Sequence, residues 1–92
     1  MQQGRPNLKK AAHRVLGDLD FGQAVLEGRE DYPELRAAIL ADLAGPSGLS
    51  VSAFTRLHDP SANPEVLRDY VENGPKPGGM NVYRLIENTA AW

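Results

Sequence analysis

Lys9, Lys10 and Arg14 form the densest basic patch of the chain, and Ser52, Arg56, Asn63, Glu65, Arg68 and Lys76 follow across its later part. Arg, Lys, Ser and Asn carry the donors and acceptors that meet phosphate oxygens and base edges. The chemistry these types support is non-covalent recognition. Arg68 has the fork geometry that reads guanine, with Asn63 and Glu65 beside it. Ser52, Thr55 and Arg56 sit where phosphate contacts would come from a preceding helix. Lys76 follows a glycine stop, and Lys9, Lys10 and Arg14 would hold phosphate from the N-terminal side. Each also has a plainer reading. Arg68 can pair with Glu65 or Glu72 three or four residues away, Lys76 can serve solubility, and the N-terminal patch can be a solvated helix face.

Bond-making chemistry has no such support. No Ser-His-Asp order, phosphate loop, dinucleotide fingerprint or metal motif is present. The chain has no cysteine and two histidines, His13 and His58, too few for a usual zinc site without several carboxylates. We expect no enzyme activity, no cofactor and no metal. His13 and His58 are expected to pack at helix ends.

The elements that must position these residues are helical. Leu8, Ala11, Ala12, Val15 and Leu16 recur at helical spacing over 8–17, with Asn7 as cap. A second helix over 20–27 has Asp20 as its cap, turns Phe21, Ala24 and Val25 inward and stops at Gly28. The third, 33–44, has Pro33 at its first position and Leu35, Ile39, Leu40 and Leu43 on one face, and Gly45-Pro46 ends it. Ser50 caps a fourth through His58 that buries Val51, Phe54 and Leu57. After a turn cluster at 59–64, Asn63 caps a fifth helix with Pro64 first, Val66, Leu67, Tyr70 and Val71 inward and Gly74 as stop. Residues 81–92 fit helix or strand, and helix is favoured. Trp92 should pack on the core or on a partner. The expected core is Leu16, Phe21, Val25, Leu35, Ile39, Leu43, Phe54, Leu57, Leu67 and Val71. The result is an all-α fold, a compact bundle of about six short helices in one domain, 1–92.

The stretches 14–29 and 56–76 share an order: helix end, Asp-containing turn, compact helix, then Gly and a basic residue. That is the order of a helix-turn-helix. Asp18 and Asp59 read as turn formers bonding local N–H groups.

Residues 34–92 resemble the small helix-turn-helix proteins of the Cro/repressor-like (lambda repressor-like) superfamily, especially those of phages and prophages. The matching parts are the leading helix 35–44, Gly48-Leu49-Ser50 opening a short helix with Phe54 buried, the Asp59-Pro60 turn, and Glu72-Asn73-Gly74 closing the next helix. The resemblance implies that 50–58 is the supporting helix and 63–73 the one that enters the major groove. Residues 1–33 match the same pattern in shorter form and suggest a degenerate tandem duplication.

With 92 residues and a net charge of −2, strong non-specific nucleic-acid binding is disfavoured. Residues 1–16 are basic and 17–42 acidic. No apolar run approaches a membrane span of about 20 residues, and we expect a cytoplasmic protein. Two functions fit. One is a small DNA-binding transcriptional regulator or accessory factor, bound to double-stranded DNA as a homodimer through the final helix and Trp92. The other is a helix-turn-helix-derived interaction module whose acidic helices at 20–31 and 63–73 face a basic host protein.

Overall fold

A computed structural model of the chain describes residues 4–73 and 79–89, with side chains for 8–73 and 79–87. Lys76 and Trp92 therefore lie outside the described residues. The described chain is all-helical: α1 (Gly4–Val15), α2 (Leu19–Glu27), α3 (Pro33–Ala44), α4 (Val51–His58), α5 (Pro64–Asn73) and α6 (Asn81–Thr89), with a short 3-10 turn at Gly45–Ser47.

In α1, Leu8, Ala11, Ala12 and Val15 are buried, the i, i+3, i+4, i+7 stripe of an amphipathic helix. The helix begins at Gly4, so Asn7 lies inside it and is not its cap. Its end at Val15 comes before Leu16-Gly17. Asp18, not Asp20, caps α2: its carboxylate accepts the Phe21 N–H at 3.1 Å. An acid two residues further on lies in the first turn, where it complements the helix dipole instead. Gly28 stops α2 at φ 85°, a left-handed conformation with no Cβ penalty.

α3 runs from Pro33 to Ala44 as the apolar spacing predicts. It is the central helix, and α1, α2, α4, α5 and α6 all pack on it. Leu35 and Ile39 are wholly buried, with Leu40, Leu43 and Ala44 close behind. The α-helix ends at Gly45-Pro46 as expected, with Gly45 as its cap, and the path then tightens into the 3-10 turn that the left-handed Gly48 (φ 78°) closes. The chain then turns through 86° into α4, whose Ser50 cap accepts the Ala53 N–H at 3.1 Å.

α4 departs from expectation in what it buries. Phe54 alone of its residues is buried. Val51 is 40% exposed and Leu57 68% exposed. The helix has only eight residues and rests on α3 alone among its main contacts. One neighbour covers a narrow stripe, and side chains three positions either side of Phe54 fall outside it.

α5 packs on α2 and α3, with Leu67 and Tyr70 buried and Val66 and Val71 half-buried against the core. Residues 81–89 are helix, not strand, and α6 lies against α1 and α3. Across the whole expected core, Leu57 is misplaced, and Leu16 and Val71 are peripheral. Gly22 lets α2 approach α5: a Cβ there would come 2.8 Å from Leu67 Cδ2. Gln23 adds a polar tie, its amide donating to the carbonyls of Pro60 and Ser61, both at 2.9 Å.

Candidate binding cleft

Each half of the expected recognition unit finds its main packing partner elsewhere. α4 leans on α3, and α5 on α2 and α3. Between them lies an open cleft with a volume of about 370 Å³, lined by Leu43, Pro46, Phe54, Val66, Tyr70 and the polar Asp42, Ser47, His58 and Asp69. Sites for small molecules or for anchoring side chains begin at about 300 Å³. The walls are apolar because Phe54 of α4 and Val66 and Tyr70 of α5 stand at helical spacing on the facing sides. The His58 ring lies 4.6 Å from that of Phe54, tilted by 40°. His58, the last residue of α4, thus packs on Phe54 as expected while remaining exposed, and His13 is exposed near the end of α1.

Asp42 forms the floor of the cleft. It is 1% exposed, on the inner face of α3. Its carboxylate accepts the Tyr70 hydroxyl at 2.7 Å and the Val82 N–H at 2.9 Å on one oxygen. The other oxygen accepts the Asn81 N–H at 2.6 Å and the Asn81 side-chain amide at 2.9 Å. A buried carboxylate is tolerated only when hydrogen-bonded in this way. It also places negative charge at the N-terminus of α6, where the helix dipole favours it. Burial first, then the hydrogen bond to Asp42 and its charge, push the Tyr70 hydroxyl pKa up, so the ring remains a donor at any ordinary pH. Sequence reading missed Asp42. The available signal was its place three residues after Ile39 and one before Leu43, on the apolar face of α3.

The expected DNA contacts are scattered over several elements. Lys10, Ser52, Arg56, Glu65 and Arg68 are exposed and Lys9 is half-exposed. Arg14 is exposed but engaged: its guanidinium pairs with Asp18 at 3.2 Å and lies 4.4 Å over the Phe21 ring. Asn63 reaches backwards, its amide donating to the carbonyls of His58 at 2.6 Å and Asp59 at 3.2 Å. It thereby closes the end of α4. Ser52 and Arg56 are on α4, whereas Lys9, Lys10 and Arg14 are on α1. The Thr55 hydroxyl is enclosed and has no hydrogen-bond partner among the described residues.

The two Asp-containing turns are not equivalent. Asp18 is extended (φ −141°) and starts a helix. Asp59 is left-handed (φ 45°) and ends one, its carboxylate holding the Ser61 hydroxyl at 3.0 Å. The exposed charged residues of α5 are Glu65, Arg68, Asp69 and Glu72, of which Asp69 borders the cleft. Among the described residues no group of three or more His, Asp or Glu side chains could hold a metal ion, and no single helix is long and apolar enough to cross a membrane.

Comparison with known proteins returned no matching family model, no matching curated protein and no matching solved structure.

Proposed function

We propose that this protein is a helical interaction module that seats an amphipathic, basic segment of a partner protein in the cleft between α4 and α5. The observation that carries this is the pairing of an apolar cleft with uncovered apolar side chains on α4 and acidic side chains on α5. Leu57 is 68% exposed one helical turn from Phe54, and Val51 is 40% exposed on the same short helix. Asp69 lines the other wall, and Glu65 and Glu72 are exposed on the same helix, about one turn to either side of it. An apolar anchor would bury against Phe54, Val66 and Tyr70, while Lys or Arg residues beside it face the carboxylates. Such charge complementarity sets specificity and association rate, and helix-in-groove docking is the recognition mode it suits.

A second reading has support of its own. Ser50-capped α4, the turn and α5 follow the helix-turn-helix order, with Lys10, Ser52, Arg56 and Arg68 exposed. On that reading the protein is a DNA-binding regulator that grips the duplex as a homodimer. We prefer the first because the outward side of α5 carries more acid than base, which phosphate repels.

Fluorescence anisotropy decides between them. A labelled amphipathic peptide of leucine and lysine should bind the protein, and Leu57→Asp or the pair Glu65→Lys and Glu72→Lys should weaken binding about tenfold or more. Peptide binding indifferent to all three changes would overturn the proposal. Random duplex DNA is the other arm: binding that collapses with salt and with Arg56→Glu or Arg68→Glu would favour the second reading.

A further inference from the structure

The floor of the cleft and the start of the last helix share one carboxylate. Tyr70 and Asp42 both line the cleft. The Asp42 oxygen that accepts the Tyr70 hydroxyl at 2.7 Å also accepts the Val82 N–H at 2.9 Å. Its second oxygen holds Asn81 at 2.6 Å. The segment leading into α6 is pressed on the same residue: a Cβ at Gly79 would meet the Asp42 carbonyl oxygen at 2.7 Å. Detaching α6 therefore removes two backbone donors from a buried carboxylate and opens it to water from behind. Filling the cleft removes the water that still reaches the front of the bond at Tyr70, which is 7% exposed against 1% for Asp42. A hydrogen bond to a charged group strengthens as water is excluded around it.

We propose that an apolar occupant of the α4–α5 cleft tightens the docking of α6 through the Tyr70–Asp42 hydrogen bond, and that release of α6 weakens occupancy of the cleft in return. The reciprocity is required once the two equilibria are coupled. This inference rests on the cleft as a binding site, so its test supplies its own occupant.

The chain has no cysteine, so His58→Cys introduces a single thiol at the exposed cleft edge of α4. Reaction with N-phenylmaleimide adds the thiol across the maleimide double bond and tethers an aromatic ring over the cleft. Hydrogen exchange is then read at Asn81, Val82 and the following α6 amides, labelled against unlabelled. The expected result is exchange on the order of tenfold slower in α6, within the usual range of site-to-site coupling, with α1 and α2 unchanged and the effect abolished by Tyr70→Phe. Unchanged α6 exchange, equal slowing throughout the molecule, or slowing that persists in Tyr70→Phe would each overturn it. If His58→Cys does not fold, Val66→Cys on the opposite wall carries the same test. Slowed α6 exchange together with failure of the leucine-lysine peptide to bind would support the coupling while removing the proposed function.

Discussion

The Asp42 carboxylate on α3 accepts the Tyr70 hydroxyl on α5 at 2.7 Å, across 28 positions of sequence. Around that bond, Asn81 and Val82 donate from the start of α6, so three helices converge on one buried charge. The arrangement is balanced on its own terms, since each donor would be left in a dry site without the acceptor. It does the work of a cap for α6, but from another helix.

Removing the acceptor should therefore be severe. Asp42→Ala leaves the Tyr70 hydroxyl and the Asn81 and Val82 N–H groups unpaired, and at roughly 1–3 kcal/mol for each buried group, with less for the part-buried Asn81, the loss should reach about 3–5 kcal/mol. A domain of this size holds only about 5–10 kcal/mol. Urea unfolding followed by circular dichroism checks this. A midpoint equal to the parent's would mean that the carboxylate is not what holds α6.

Tyr70→Phe removes one donor and leaves the ring packing intact. The loss should be about 1.5–3 kcal/mol, the usual value for a hydrogen bond to a charged group. It should be smaller than that of Asp42→Ala in the same urea series. The reverse order would place the weight on Tyr70 packing and not on the network.

Phe54 and Leu57 should separate stability from binding. Phe54 is 7% exposed, and Phe54→Ala should lower stability by about 3–5 kcal/mol. Leu57→Ala should shift it by no more than about 0.5 kcal/mol, because surface changes rarely do more. Thermal melts of both variants read the difference directly. A Leu57→Ala protein as unstable as Phe54→Ala would show that Leu57 is covered.

Gly79→Ala should destabilise the α6 docking by about 1–3 kcal/mol, the usual result of forcing an atom into filled space. The new Cβ would come 2.7 Å from the Asp42 carbonyl oxygen, a backbone atom of the central helix that cannot swing aside. An unchanged melting temperature would mean that this segment can step away from α3 freely.

Asp18 supplies a pH dependence with a defined sign. The Phe21 backbone N–H, with a further contribution from Arg14, holds its carboxyl below the usual value of 3.8, against a partial opposing effect of burial. A depressed folded-state pKa adds stability above the unfolded value and loses it as pH falls through the folded one. Melting temperatures between about pH 6 and about pH 3 should thus fall less steeply for Asp18→Asn, which still caps a helix but cannot titrate. An identical acid limb in parent and variant would remove Asp18 from the explanation.

Much of the architecture was legible along the chain. Pro33 and the spacing of Leu35, Ile39 and Leu43 placed α3, Ser50 placed the start of α4, and Gly28 placed the stop of α2. These are local signals, set by caps, backbone conformations and a 3.6-residue period within a turn or two. Choosing Asp20 over Asp18 failed for a local reason too. Neighbouring polar residues compete for the same few N–H and C=O groups, and the winner depends on the angle at which the chain enters.

What the sequence by itself determined, then, is that the chain forms short amphipathic helices, where most of them begin and end, and which side chains are apolar enough to seek cover. Which of those side chains found cover was decided by tertiary structure alone. Val51 and Leu57 match the helical period as well as Phe54 does, yet only Phe54 is buried, because α4 has a single main neighbour. Asp42 in turn reads as an ordinary helix-surface acid until Tyr70, Asn81 and Val82 arrive from 28 to 40 positions away. Burial and charge pairing depend on which surfaces meet, and that is a property of the packed chain, whereas helix formation is settled within a few neighbouring residues.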